Sequence, residues 1–182
     1  MALTRINNQA LLGATGTVLQ TKFVRTSNAF DTTITNANEY ADVTGLSLSI
    51  TPISTTSNIL LQYHLDQFTN SDADSGYNYN SRILRTVSST DTAIQATQGN
   101  RIGGLSGGWL NFNNASWSAM TVGSSFLDSP STTSAITYKV QITSTYTSGG
   151  NTLYVNRIAN QDDDNSNFMR GVSFIQAMEI AG

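Results

Sequence analysis

Hydrophobic and polar positions alternate with a period of two over long stretches of this chain, and the pattern is cleanest between residues 136 and 143. There Ile136, Tyr138, Val140 and Ile142 fall on one face and Thr137, Lys139, Gln141 and Thr143 on the other, as in a strand with one buried side. Ahead of it Phe126 ends another alternating run, and Asp128-Ser129-Pro130 turns the chain between the two. Proline fixes φ and removes a ladder donor, while Asp and Ser bond nearby backbone. Residues 125–142 thus predict strand, corner, strand, with the rest of the chain arranged to cover the apolar face.

The same rule places the other elements. Residues 17–25 predict a first strand, and 28–38, rich in Thr and Asn, a polar edge strand or a loop. Leu46, Leu48 and Ile50 alternate with Ser47, Ser49 and Thr51 until Pro52 ends the run; Ile59, Leu61, Tyr63 and Leu65 alternate with Leu60, Gln62, His64 and Asp66. Residues 70–80 predict a long polar loop, 82–87 a short strand and 92–97 another. Gly103-Gly104-Leu105-Ser106-Gly107-Gly108 predicts a flexible link into Trp109-Leu110-Asn111-Phe112. In the strand expected over 116–126, Met120, Val122 and Phe126 share a side. Ser148-Gly149-Gly150-Asn151 predicts a hairpin turn into Leu153 and Val155, followed by an acidic loop at 161–167. The last strand, 171–180, carries Val172, Phe174, Met178 and Ile180 as its expected core-facing set. Eight to ten short strands with turn signals between them and no convincing helix predict an all-β chain, an antiparallel β-sandwich of jelly-roll type.

At 182 residues the chain suits one domain that buries roughly 70% of its unfolded surface without staples. Residues 16–182 form the expected sandwich. Residues 1–15 stand apart, because Leu3, Ile6, Leu11 and Leu12 follow neither period; this segment is either a frayed terminus or a tether that orders against a partner. Without cysteine, disulfides and thiolate chemistry are excluded. Charged residues make up 12% of the chain and the net charge is −3 with no basic cluster, which argues against nucleic acid as a partner. No apolar run approaches the ~20 residues of a membrane span, and no apolar leader follows Met1, so membrane insertion is not expected and synthesis in the cytoplasm is.

Candidate chemistry is thin. His64 is the sole histidine; it sits mid-strand, and no G-x-S-x-G accompanies it. Asp72, Asp74 and Gly76 depart from the EF-hand pattern, since Ser75 intervenes and Ser81 stands where the Glu belongs. Asp162-Asp163-Asp164 is a solvated acidic loop or a weak calcium loop. A carboxylate pair for cleaving polysaccharide is defined by its ~5–10 Å spacing in space, and most of the acidic residues lie in loop-like stretches. No cofactor, no metal and no catalysis are expected. Tyr77, Tyr79, Trp109, Phe112 and Trp117 lie in or beside Gly- and Asn-rich segments. Aromatic rings flanked by amides can stack on sugar faces and bond hydroxyls, which makes Tyr77, Tyr79, Trp109 and Phe112 candidate contacts for a glycan, whereas Trp117 suits the core or a subunit interface.

Segments 1–9, 16–20 (Gly-Thr-Val-Leu-Gln) and 43–52 (Val-Thr-Gly-Leu-Ser-Leu-Ser-Ile-Thr-Pro), with 126–130, 138–141, 154–157 and 177–180, resemble virion proteins of marine and cyanobacterial tailed phages, particularly tail-fibre and fibre-tip proteins. Residues 66–116 resemble them least. The resemblance implies a virion structural protein, a homotrimer of sandwich tips, with Leu3, Ile6, Leu11 and Leu12 in a segment contacting other virion proteins. It lacks a fibre shaft, which leaves a short fibre, a docked tip or a decoration of the capsid. Apolar side chains beyond what one sandwich face needs, on 136–142 and 172–180, give trimerisation a separate rationale. The expectation is a tail fibre or fibre tip that binds the host surface. The alternatives are a capsid decoration or tail adaptor with a purely structural role, and a polysaccharide-degrading enzyme.

Overall fold

The computed structural model describes residues 14–36, 39–70, 77–97, 99–110, 118–145, 151–159 and 169–182, and for residues 77, 78, 109 and 110 the backbone alone. Among the described residues there are eleven strands and no helix: β1 (Val18–Thr26), β2 (Phe30–Ile34), β3 (Ala41–Ile50), β4 (Asn58–Asn70), β5 (Tyr77–Val87), β6 (Thr90–Ile94), β7 (Ser106–Leu110), β8 (Met120–Asp128), β9 (Ile136–Ser144), β10 (Asn151–Val155) and β11 (Ser173–Ile180). They form two antiparallel sheets. The six-stranded sheet runs β1-β11-β4-β10-β2, with β8 on the other edge of β4; the five-stranded sheet runs β3-β9-β5-β6, with β7 also on β5. One of the two curls into a half-barrel.

The alternation at 136–142 does what its pattern predicts. Ile136, Tyr138, Val140 and Ile142 are fully buried, and so are Ile59, Leu61 and Leu65 of β4, with Tyr63 nearly so. The two sets face each other across the core, joined by Leu46, Leu48 and Ile50 of β3. Burying such side chains is worth roughly 1.5–3 kcal/mol each.

Two bulges bend the frame. In β3 the register slips between Asp42 and Ser47, Gly45 takes φ 87°, and Val43 and Leu46 both reach the core. In β4 the slip lies between Leu65 and Phe68, again placing two large side chains inside. Asp66 at that bulge is fastened from three sides: its amide donates to the Ser173 hydroxyl, the Asn156 amide donates to its carbonyl, and the Thr121 hydroxyl donates to its carboxylate.

Three expectations are corrected. Residues 146–150 lie outside the described residues, but β10 pairs with β2 and β4 and not with β9, so the two strands belong to different sheets where a hairpin was expected. In β11 the inward set is Ser173, Ile175, Ala177 and Glu179; Phe174, Met178 and Ile180 point outward and Val172 is exposed. The polar members of the inward set are engaged: the Ser173 hydroxyl donates to Asn156 Oδ1, while Gln20 Nε2 and the Ile53 amide donate to the Glu179 carboxylate. Finally, β5 begins at Tyr77, within the expected 70–80 loop.

The outward faces of the two sheets differ. Across the six-stranded sheet, strand pairing lines up Thr21, Met178, Leu60 and Leu127; then Phe23, Gln176, Gln62 and Ser125; then Arg25, Phe174, His64 and Gly123. The Phe174 ring stacks on Phe23 at 5.4 Å and on His64 at 5.6 Å. Across the five-stranded sheet the outward rows are Asp42, Gln141 and Arg82; then Ser47, Lys139, Leu84 and Ala93; then Ser49, Thr137, Thr86 and Asp91.

Candidate ligand-binding site

At one end of the five-stranded sheet, the start of β5, strand β7 and residues 100–105 enclose a broad depression of about 720 Å³, within the range of ligand pockets. Its geometry follows from Asn80. The Asn80 side chain accepts from the Ser81 amide (3.0 Å) and donates to the carbonyls of Ile102 (3.3 Å) and Gly103 (3.2 Å), tying the rim to the sheet. The hydroxyl of Tyr40 donates to the Gly103 carbonyl as well, and Ala96 and Gly104 exchange backbone bonds of 2.9 and 3.2 Å. Glycine is required at two points: a Cβ on Gly104 would lie 1.7 Å from Asn80 Oδ1, and one on Gly107 2.2 Å from the Tyr79 carbonyl. The segment that the glycines suggest is flexible is therefore a fixed rim, held by close approach of backbone to side chain.

Beneath the rim, the Ser81 hydroxyl bonds the Tyr63 hydroxyl (2.8 Å) and donates to the Ser106 carbonyl (2.8 Å). Burial pushes the Tyr63 phenol up to about 12, against the lowering effect of that Ser81 bond, so it stays protonated. Beside the rim, the Arg82 guanidinium lies 3.6 Å over the Tyr40 ring and donates to Gln141 (2.8 Å) and Gln95 (2.9 Å). Burial lowers its pKa, partly countered by Tyr40 and Asp42.

The exposed polar groups around the depression are Asn100, Arg101 and Thr145, with half-buried Ser106 and the β7 backbone beside them. These are hydrogen-bond donors and acceptors with one fixed positive charge, suited to hydroxyls, or to hydroxyls plus an anion. No carboxylate or imidazole is among the described lining residues. The lone carboxylate at a second depression of about 350 Å³, Asp66, already accepts from the Gln67 amide and the Thr121 hydroxyl. Among the described residues no three of His, Asp and Glu stand together as a metal set. His64 lies on the outward face of the other sheet, against Phe174.

Of the aromatics expected to stack on sugar, Tyr79 is corrected: it is 2% exposed, with its ring edge-on to Phe68 at 5.5 Å, so it forms part of the wall and offers no open ring. Tyr77 and Trp109 are paired in backbone register with Leu110 and Asn78 at this end of the sheet. Phe112 and Trp117 lie outside the described residues, as do Leu3, Ile6, Leu11 and Leu12, Asp72, Asp74 and Asp162–Asp164. Asn80 and the close-packed glycines of the rim are what the sequence reading misses; the alternation Tyr77-Asn78-Tyr79-Asn80 was the available signal for a strand there. No family model matches the chain, and no curated protein matches it.

Proposed function

We propose that the chain is a structural protein of a tailed-phage virion, a tail fibre or fibre tip of jelly-roll type that binds the host surface as a homotrimer and carries out no catalysis. The observation that carries this reading is a division of labour along the chain. The segments that resemble fibre proteins fall largely on the frame strands β1, β3, β8, β9, β10 and β11. The depression is walled almost wholly by residues 79–108, inside the stretch that resembles them least. A shared frame presenting its own recognition segment is the arrangement that a receptor-binding protein needs. The ligand class that fits Asn100, Arg101 and Ser106 is a surface glycan, hydroxyl-rich and with an acidic group for Arg101. Each site is weak alone, and repetition on a trimer and on the particle supplies avidity. The segment bearing Leu3, Ile6, Leu11 and Leu12 contacts other virion proteins, and the product is made in the host cytoplasm and assembled into the virion.

A second reading, a capsid decoration or tail adaptor, draws support from Phe23 and Leu127, large apolar side chains exposed on the outward face of the six-stranded sheet, which suit contact with a neighbouring subunit. Cryo-electron microscopy of the particle, joined to a glycan array and a phage-adsorption competition with purified protein, tests both. The fibre reading expects a tail location and retention on some surface polysaccharides, reduced at least tenfold by Arg101→Ala. A capsid location with no competition would move the protein to the second reading, and its absence from the particle would remove both.

A further inference from the structure

We propose that the outward face of β1, β11, β4 and β8 is an interface between copies of this chain. The inference stands on the chemistry of that face and does not need the virion reading. Phe23 and Leu127 are each 53% exposed in the single chain, and a run of three stacked rings, Phe23, Phe174 and His64, crosses the outside of the sheet. These large apolar side chains flank a polar middle row at opposite edges of the face, and side chains of this size left open to water favour a covering partner.

Three features select a second copy as the occupant. The first is charge: the three rows contain no carboxylate, although acidic residues outnumber basic ones 12 to 9 in the chain, and their one permanent charge, Arg25, sits in the last row beside Phe174. Apposing the face with its own copy therefore opposes no dense like charge, whereas an anionic partner would find a single cation. The second is the middle row, where Gln62 Nε2 donates to the Ser125 hydroxyl at 3.0 Å and Gln176 lies alongside. Amides and hydroxyls both donate and accept, so this row can satisfy an identical row on another copy. The third is size. Eight residues of β11 at ~3.3 Å each, on four strands ~4.8 Å apart, give a plan area of roughly 500 Å². Two such faces reach the ~1,000 Å² in total that a specific interface requires.

The test is the mass of the full-length protein in solution, by light scattering after size exclusion at micromolar concentration. The wild type is expected at two or more chain masses, and Phe23→Asp combined with Leu127→Asp at one, with an unchanged circular dichroism spectrum because neither side chain is in the core. Should that variant unfold, the cysteine-free chain provides another route: a single Ser125→Cys is expected to cross-link copies efficiently with a short bis-maleimide, and Ser49→Cys on the opposite sheet is not. A wild-type monomer would overturn the proposal, and with it the homotrimer. An oligomer that survives the double substitution, or that links through residue 49 and not 125, would overturn the assignment of the face while leaving self-association intact.

Discussion

The two sheets meet the core alike and meet the outside differently. Inside, β4 and β9 each present an unbroken run of buried aliphatic and aromatic side chains. Outside, the five-stranded sheet is laced with polar links: Lys139 Nζ donates to Asp42 at 2.8 Å, Gln141 to the same carboxylate at 2.7 Å, and Arg82 to Gln141. Burial opposes ionisation of Asp42, but the bonds from Lys139 and Gln141 outweigh it and hold the carboxyl below its ordinary value. The three outward rows of the six-stranded sheet carry a single permanent charge, Arg25, and set Phe23, Phe174, Leu60, Leu127 and Met178 around a polar row of Gln176, Gln62 and Ser125. Burial on one side is enough to specify a strand, so the second side is free to be written for water or for a partner. Here the five-stranded sheet takes the first option, and the second is the one proposed above for the six-stranded sheet.

If the sheets differ on the outside alone, inward truncations should not tell them apart. Leu61→Ala in β4 and Ile142→Ala in β9 are each expected to cost about 3 kcal/mol in urea unfolding, and a large disparity would break the comparison. The next effect tests the link between the sheets. Asp128 of β8 accepts from Arg85 of β5 (2.6 Å) and from the Tyr138 hydroxyl (2.7 Å); burial, then that carboxylate, keep the Tyr138 phenol protonated far above its ordinary range. Asp128→Ala strands both partners and should cost about 2–3 kcal/mol, below the full penalty of a broken buried pair because Arg85 is partly exposed. A smaller effect concerns Glu179. Burial raises its pKa, but the bonds from Gln20 Nε2 and the Ile53 amide, with Ser57 and Ser54 close by, hold it below the ordinary 4.5. The folded chain thus binds this proton more weakly than the unfolded chain does. The contribution is complete above pH about 4.5 and is lost as pH falls through the lowered folded value; Glu179→Gln should flatten that acid limb of stability in denaturation curves recorded between pH 6 and 3. Smallest of all, Lys139→Ala should cost under ~0.5 kcal/mol, because its pair with Asp42 is solvent-exposed, and less still in high salt.

The same comparison explains what the sequence made legible. Alternation assigned β9 and β4 correctly because their second faces are polar at most positions, so only one face could be the core. It failed for β11, where both faces carry apolar residues. Phe174, Met178 and Ile180 outweigh Ile175 and Ala177 in apolar bulk, yet Ser173 and Glu179 go inside because Asn156 and Gln20 wait there as partners. The apolar set of β9 is covered within the chain, so the basis for self-association moves from β9 to the outside of β11 and its neighbours. Turn chemistry after β9 marks a reversal but does not say which strand receives it, and β10 joins the other sheet. The candidate site was half legible. Its place in the chain was indicated by aromatics among amides and glycines, but Tyr79 is in the core, and the roles of Asn80 and Gly104 depend on a contact 24 residues apart in sequence that no local pattern encodes.

The most direct measurement is hydroxyl-radical footprinting of the full-length protein, comparing two residues of one type. In the single chain Phe23 is 53% exposed and Phe126, on the edge strand β8, is 38% exposed, so an isolated chain would label Phe23 faster. Coverage of the six-stranded sheet by another copy predicts the reverse, with Phe23 labelled several-fold more slowly than Phe126. Phe23 labelling at or above the rate of Phe126 would contradict the account.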